Sequence, residues 1–112
     1  MLKQNLLADL PSARHAEQSQ SLFHGPQVRI ERIVSQGQSS PWFEQEWDEW
    51  VLLVSGAARL IFADGRELEL ELEPGDYLLL PAHTRHKVSW TTPEQQTVWL
   101  AVHCGASTKP QP

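Results

Sequence analysis

The chain has 112 residues, 40% hydrophobic and 21% charged, which is one domain's worth of sequence and enough for a single core. Nine Lys+Arg stand against fourteen Asp+Glu, a formal charge of −5, so no positive field is left to recruit nucleic acid or an anionic membrane. One cysteine, Cys104, excludes an intramolecular disulfide and points to a reducing, cytoplasmic setting.

The N-terminal stretch MLKQNLLADLPSARHAEQ breaks its apolar residues with Asp9, Arg14 and Glu17, unlike a secretory leader. No apolar run approaches the roughly 18 residues a membrane-spanning helix needs. Residues 1–27 are polar and read as an arm, with a short helical turn over 6–10 ended by Pro11. From Val28 the pattern changes: VRIERIVS sets Val28 and Ile30 against Arg29 and Glu31, the period of a half-buried strand. GQSSP at 37–41 is a loop by composition. WVLLVSG at 50–56 and ARLIFA at 58–63 are strand-like runs. Asp64 and Gly65 form a two-residue hairpin signal, since both positions suit a type I′ turn. Leu68, Leu70 and Leu72 then alternate with glutamates, which predicts leucines inward and glutamates in water. Pro74, Gly75 and Asp76 mark a turn before YLLLP. HKVSW puts His86, Val88 and Trp90 on one face, and TVWLAVH is the last strand. Seven or eight short strands with turns between them predict an all-β sandwich or barrel. The expected organisation is an arm over 1–27, a β-barrel over 28–104 and a polar tail over 105–112.

Two motifs narrow this. Six residues separate Glu49 from Gly56 in EWVLLVSG, which resembles the second half of the first cupin motif. Gly75, five residues, Pro81, and His86 five beyond that proline resemble the second cupin motif. The chain thus resembles the small single-domain bacterial cupins. The resemblance implies a double-stranded β-helix, or jelly-roll, barrel. It also implies a site where two histidines spaced His-x-His, the motif glutamate and the second-motif histidine hold a divalent cation such as Mn, Fe, Ni or Zn. Glu49 and His86 match two of these positions. The His-x-His pair is absent: its places fall at Trp42 and Glu44, or at Phe43 and Gln45. The glycine after Pro81 is also replaced, by His83.

Strand alternation selects further candidates. Gln45 shares a face with Glu49 if the strand is regular, whereas a bulge would bring Glu44 inward. The candidate metal set is therefore His86, Glu49 and Gln45 or Glu44, one imidazole among oxygen donors. His103 lies on a face with Trp99 and Ala101. Five tryptophans in so short a chain, three of them within 42–50, suggest a ligand pocket lined by Trp42, Trp47 and Trp90 with His103. Trp50 and Trp99 suit a core or a homodimer interface. His83 reads as a rim residue, His15 and His24 as inert, and Cys104 as an ordinary thiol. Two functional readings stand. One is a cupin that binds a small polar ligand through a metal, like the metal-dependent cupin isomerases and oxygenases. The other is a metal-free binding or sensor module.

Overall fold

The structure is a computed structural model that describes residues 1–63 and 67–105. Eight strands follow in order: β1 (Gln18–Gly25), β2 (Val28–Ser35), β3 (Asp48–Ser55), β4 (Ala58–Ala63), β5 (Glu67–Leu72), β6 (Tyr77–Leu80), β7 (Arg85–Thr91) and β8 (Thr97–Cys104). They form a five-stranded sheet, β1-β2-β8-β3-β6, and a three-stranded sheet, β5-β4-β7. Every pairing is antiparallel, and the two sheets make the jelly roll. Among the described residues no helix is long and apolar enough to cross a membrane.

The core lies between the sheets. Val51 and Leu53 of β3, Ala58 and Leu60 of β4, Leu72, Leu80, and Trp99 and Ala101 of β8 form one buried cluster. Alternation explains the choice, because β3 buries every second side chain from Glu49 to Leu53. Gly56 closes the β3–β4 turn at φ +92°, and a Cβ there would collide with Thr97, so the turn requires glycine.

Three sequence expectations need amendment. Residues 18–25, read as part of an arm, form β1 and pair along β2. What precedes them is fastened by side chains: Arg32 donates to the carbonyls of Leu6 and Ala8, and Gln96 to that of Pro11. The residues 6–10 make a turn, with Ala8 N–H donating to the Asn5 carbonyl, and no helix. In β5 only Leu72 is buried. Leu68 and Leu70 each stay 46% exposed, because β5 is an edge strand and the core cluster covers only its last residue. The Asp64 and Gly65 turn lies outside the described residues, as does the tail from 106. The strands joined by that turn pair antiparallel in register, Ala63 with Glu67.

Candidate functional site

Strand β2 carries the first surprise. Of its apolar residues only Ile33 faces the barrel. Register pairs Arg29 with His103, Glu31 with Ala101 and Ile33 with Trp99, so Arg29, Glu31 and Ile33 share the inner face. The outer face is covered instead: Val34 is fully buried with Ala13 and Val98, against Leu10 and Val54. Both faces of β2 are thus covered, and the inner one is free to be polar.

The inner faces enclose a cavity of about 220 Å³. Its apolar wall includes Val51, Leu60, Leu80, Val88 and Trp99, and its polar groups are Glu17, Ser19, Glu31, Ser40, Gln45, Glu49, His86 and His103. Four of these are deeply buried: Gln45 is 8%, Glu49 7%, His86 5% and His103 1% exposed.

Two imidazole–carboxylate pairs line this one cavity. In the first, His103 Nε2 lies 2.8 Å from Glu31 Oε1. The Trp47 indole Nε1–H donates to His103 Nδ1 at 2.9 Å. Indole can only donate, so Nδ1 accepts and Nε2 carries the proton given to Glu31. The Ser19 hydroxyl donates to the other Glu31 oxygen at 2.9 Å. Burial would raise the Glu31 carboxyl. The hydrogen bonds from His103 and Ser19, with the positive charge of Arg29, outweigh it and hold the group below its ordinary value of 4.5. Nearby Glu17 goes the other way. Burial pushes it above 4.5, a hydrogen bond from Ser35 offsets part of the rise, and the Glu31 charge adds to it.

In the second pair, His86 Nε2 and Glu49 Oε1 are 3.9 Å apart, beyond hydrogen-bond reach. His86 Nδ1 lies 3.1 Å from the Thr84 carbonyl oxygen. A carbonyl can only accept, so Nδ1 carries a proton, and in the neutral ring Nε2 presents a lone pair to the cavity. Two acceptors therefore face each other across the cavity. The backbone fixes their surroundings: Phe43 and His86 exchange N–H···O=C bonds at 2.8 and 2.9 Å, and His83 N–H donates to the Gln45 carbonyl at 2.6 Å. His83 sits at φ 66°, a left-handed conformation at the motif position where the resemblance expects glycine.

Gln45 is buried on the cavity and Glu44 is exposed, so Glu44 leaves the candidate set; β3 begins only at Asp48, so it is the loop before the strand, not strand alternation, that places Gln45. The inner places of the missing His-x-His pair are taken by Phe43 and Gln45. The tryptophan pocket is corrected too. Trp42 turns outward beneath Arg85 and Lys87, whose charges lie 4.4 and 4.8 Å from its ring centroid. Trp90 pairs with Arg59 while Val88 pairs with Leu60, so the extra residue Ser89 makes a bulge. The bulge carries Trp90 to the outer face, under Arg59 at 4.8 Å. Trp47 touches His103 and is absent from the cavity wall. Of the expected pocket residues His103 remains, joined by Trp99. Sequence reasoning missed Glu17, Ser19, Glu31 and Ser40.

The fit of a metal follows from the donor set. Among the described residues no group of three or more His, Cys, Asp or Glu side chains could hold a metal ion. Near His86 and Glu49, the inner positions supply a phenyl ring and an amide where two imidazoles would be needed. The residues present do not fit the three-histidine, one-glutamate centre.

An all-β double sheet with a cavity between its sheets defines a small jelly-roll domain. The chain belongs to the cupin family: the family model described as a cupin domain matches residues 30–103. It is 44% identical to a solved structure described as a candidate mannose-6-phosphate isomerase from Ralstonia eutropha JMP134, with TM-score 0.87 over 95% of this chain and 100% of that one. A cupin superfamily protein from Desulfitobacterium hafniense DCB-2 is 22% identical, with TM-score 0.77 over 93% and 92%. A Thermus thermophilus protein is 17% identical, with TM-score 0.78 over 94% and 98%. These two show the fold alone. No curated protein matches the sequence.

Proposed function

We propose that this chain binds a small polar ligand in the cavity between its sheets, that Glu49, His86 and Gln45 make the polar contacts, and that no metal is needed. One observation carries the reading. Glu49 and His86 are buried, face each other at 3.9 Å, and make no hydrogen bond to one another. Their polar atoms open onto the cavity, where a ligand can supply the hydrogen bond that they do not make to each other. The Gln45 amide, equally buried on the same wall, adds both a donor and an acceptor. Trp99 in the wall supplies a flat apolar surface and an optical reporter.

A second reading, that the bound ligand is isomerised, draws on the Ralstonia relative and on the lone pair of His86 Nε2. An imidazole lone pair beside a carboxylate can take a proton from a carbon next to a carbonyl.

The test is thermal melting of chelator-treated protein against millimolar sugars, polyols and amino sugars. A ligand at 100 times its Kd stabilises by about 2.7 kcal/mol, which is on the order of 10 °C for a domain of this size. The expected result is a rise with some members of the set, lost in His86→Gln and Glu49→Gln while both variants remain folded. A flat melting temperature across the set overturns the proposal.

A further inference from the structure

The polar groups of the cavity are unbalanced in a way that specifies the ligand's charge. Three carboxylates, Glu17, Glu31 and Glu49, line it, and among the described residues no lysine or arginine does. The one arginine whose charge reaches Glu31 is Arg29, which is absent from the wall. The protein's own donors are already committed. His103 Nε2–H and the Ser19 hydroxyl both go to Glu31, and the Ser40 hydroxyl goes to the Pro41 carbonyl. The proton of His86 goes to the Thr84 carbonyl. What faces the cavity at His86 and Glu49 is a pair of acceptors 3.9 Å apart, both more than nine-tenths buried. With the ring neutral, a hydrogen-bond donor or a cation complements them. Gln45, 8% exposed and with a side chain that makes no hydrogen bond among the described residues, is aimed into the same space.

We propose that the cavity selects a small ligand with a primary ammonium head, seated between His86 Nε2 and Glu49, and rejects phosphate esters. This rests on the binding reading above and adds its charge. An ammonium has three donors and no acceptor, which complements two facing lone-pair groups. Its positive charge is attracted to the carboxylates, and the face of an aromatic wall residue adds to that attraction. A phosphate dianion would enter among carboxylates with no cation to meet it, and like charges at such range repel. The 44% identity to a candidate mannose-6-phosphate isomerase therefore does not carry the phosphate preference with it.

The experiment compares mannosamine, mannose and mannose 6-phosphate by calorimetry and Trp fluorescence at neutral pH, on the whole chain after chelator treatment. Mannosamine is expected to bind at least tenfold more tightly than mannose, and mannose 6-phosphate at least tenfold more weakly. Glu49→Gln, isosteric and checked for a wild-type melting profile, is expected to reduce the mannosamine-to-mannose ratio at least fivefold. Equal binding of the amine and the neutral sugar, with both lost in Glu49→Gln, overturns the charge preference and leaves the binding reading intact. Tighter binding of the phosphate does the same. No binding by any of the three overturns both. Manganese or zinc alone stabilising wild-type protein but not Glu49→Gln would show that the acceptor pair is a metal site, and would also overturn the ammonium proposal.

Discussion

The two imidazole–carboxylate pairs differ in a way that burial does not explain. The side chains of His86 and Glu49 are 7% and 9% exposed, those of His103 and Glu31 1% and 16%. Both pairs are out of water, yet one is closed and the other open. His103 is held at both ring nitrogens, by Trp47 and by Glu31, and Glu31 gains Ser19 as well. His86 is held at one nitrogen only, through Thr84, and its other nitrogen stands off from Glu49. The comparison teaches that in a polar barrel interior the structural pair is the one whose donors and acceptors are matched. The pair that stands open, His86 and Glu49, is the one to which the proposed function assigns the ligand.

The largest effect that could break this distinction is on stability. His103→Ala strands the Trp47 N–H and leaves Glu31 without its main donor, so it is expected to cost about 3 kcal/mol. The melting temperature should fall on the order of 15 °C. His86→Ala, removing a group with one hydrogen bond, should cost about 1 kcal/mol. Equal losses in a denaturation series would remove the distinction. Next is Trp47→Phe, which keeps an aromatic ring but deletes the donor to Nδ1. A loss of about 1 kcal/mol is expected, and no change would mean that Trp47 does not hold the imidazole.

The smallest effect is a pH dependence of opposite sign at two neighbouring carboxylates. Glu31 is held below 4.5, so its contribution is present above that value and is lost as pH falls through its lowered folded value. Glu31→Gln should therefore be destabilising at neutral pH, with the difference from wild type shrinking in acid. Glu17 is raised, so its stabilising share is complete below 4.5 and is lost as pH rises through its folded value. Glu17→Gln should consequently raise the melting temperature at neutral pH and leave it unchanged in acid. Melting curves of both variants across pH check the signs, and parallel behaviour would contradict the assigned environments.

Much of the fold was legible because turns and alternation are local. Gly75, Pro81 and the leucine–glutamate alternation mark strands without reference to the rest of the chain. Glu49 and His86 were legible through their spacing to Gly56 and Pro81, whereas Gln45, chosen by strand parity, reaches the cavity from the loop before β3. Glu31 was not. Reading VRIERIVS with Val28 and Ile30 inward assumes that one face is covered and one is wet. In β2 Leu10 and Ala13 cover Val34 on the outer face, so both faces are covered there and Glu31 can turn inward. Trp90 was misplaced for a different reason: the extra residue Ser89 reverses parity partway along β7, and a bulge has no clear signature in sequence. The tryptophan cluster drew attention to the right segment, but the side chains there that line the cavity are Phe43 and Gln45, its less conspicuous members.

The segment that carries Phe43 and Gln45 has one more consequence. β7 is a terminal strand of its sheet, and the backbone of Ser40 and Phe43 occupies its outward hydrogen-bonding groups at Val88 and His86. The loop that shapes the cavity is thus also the cover of an otherwise bare strand edge. Bare edges recruit other chains. Enlarging the pocket by loosening this loop would trade ligand size against self-association, so solubility sets a limit on how far the cavity can be widened from that side.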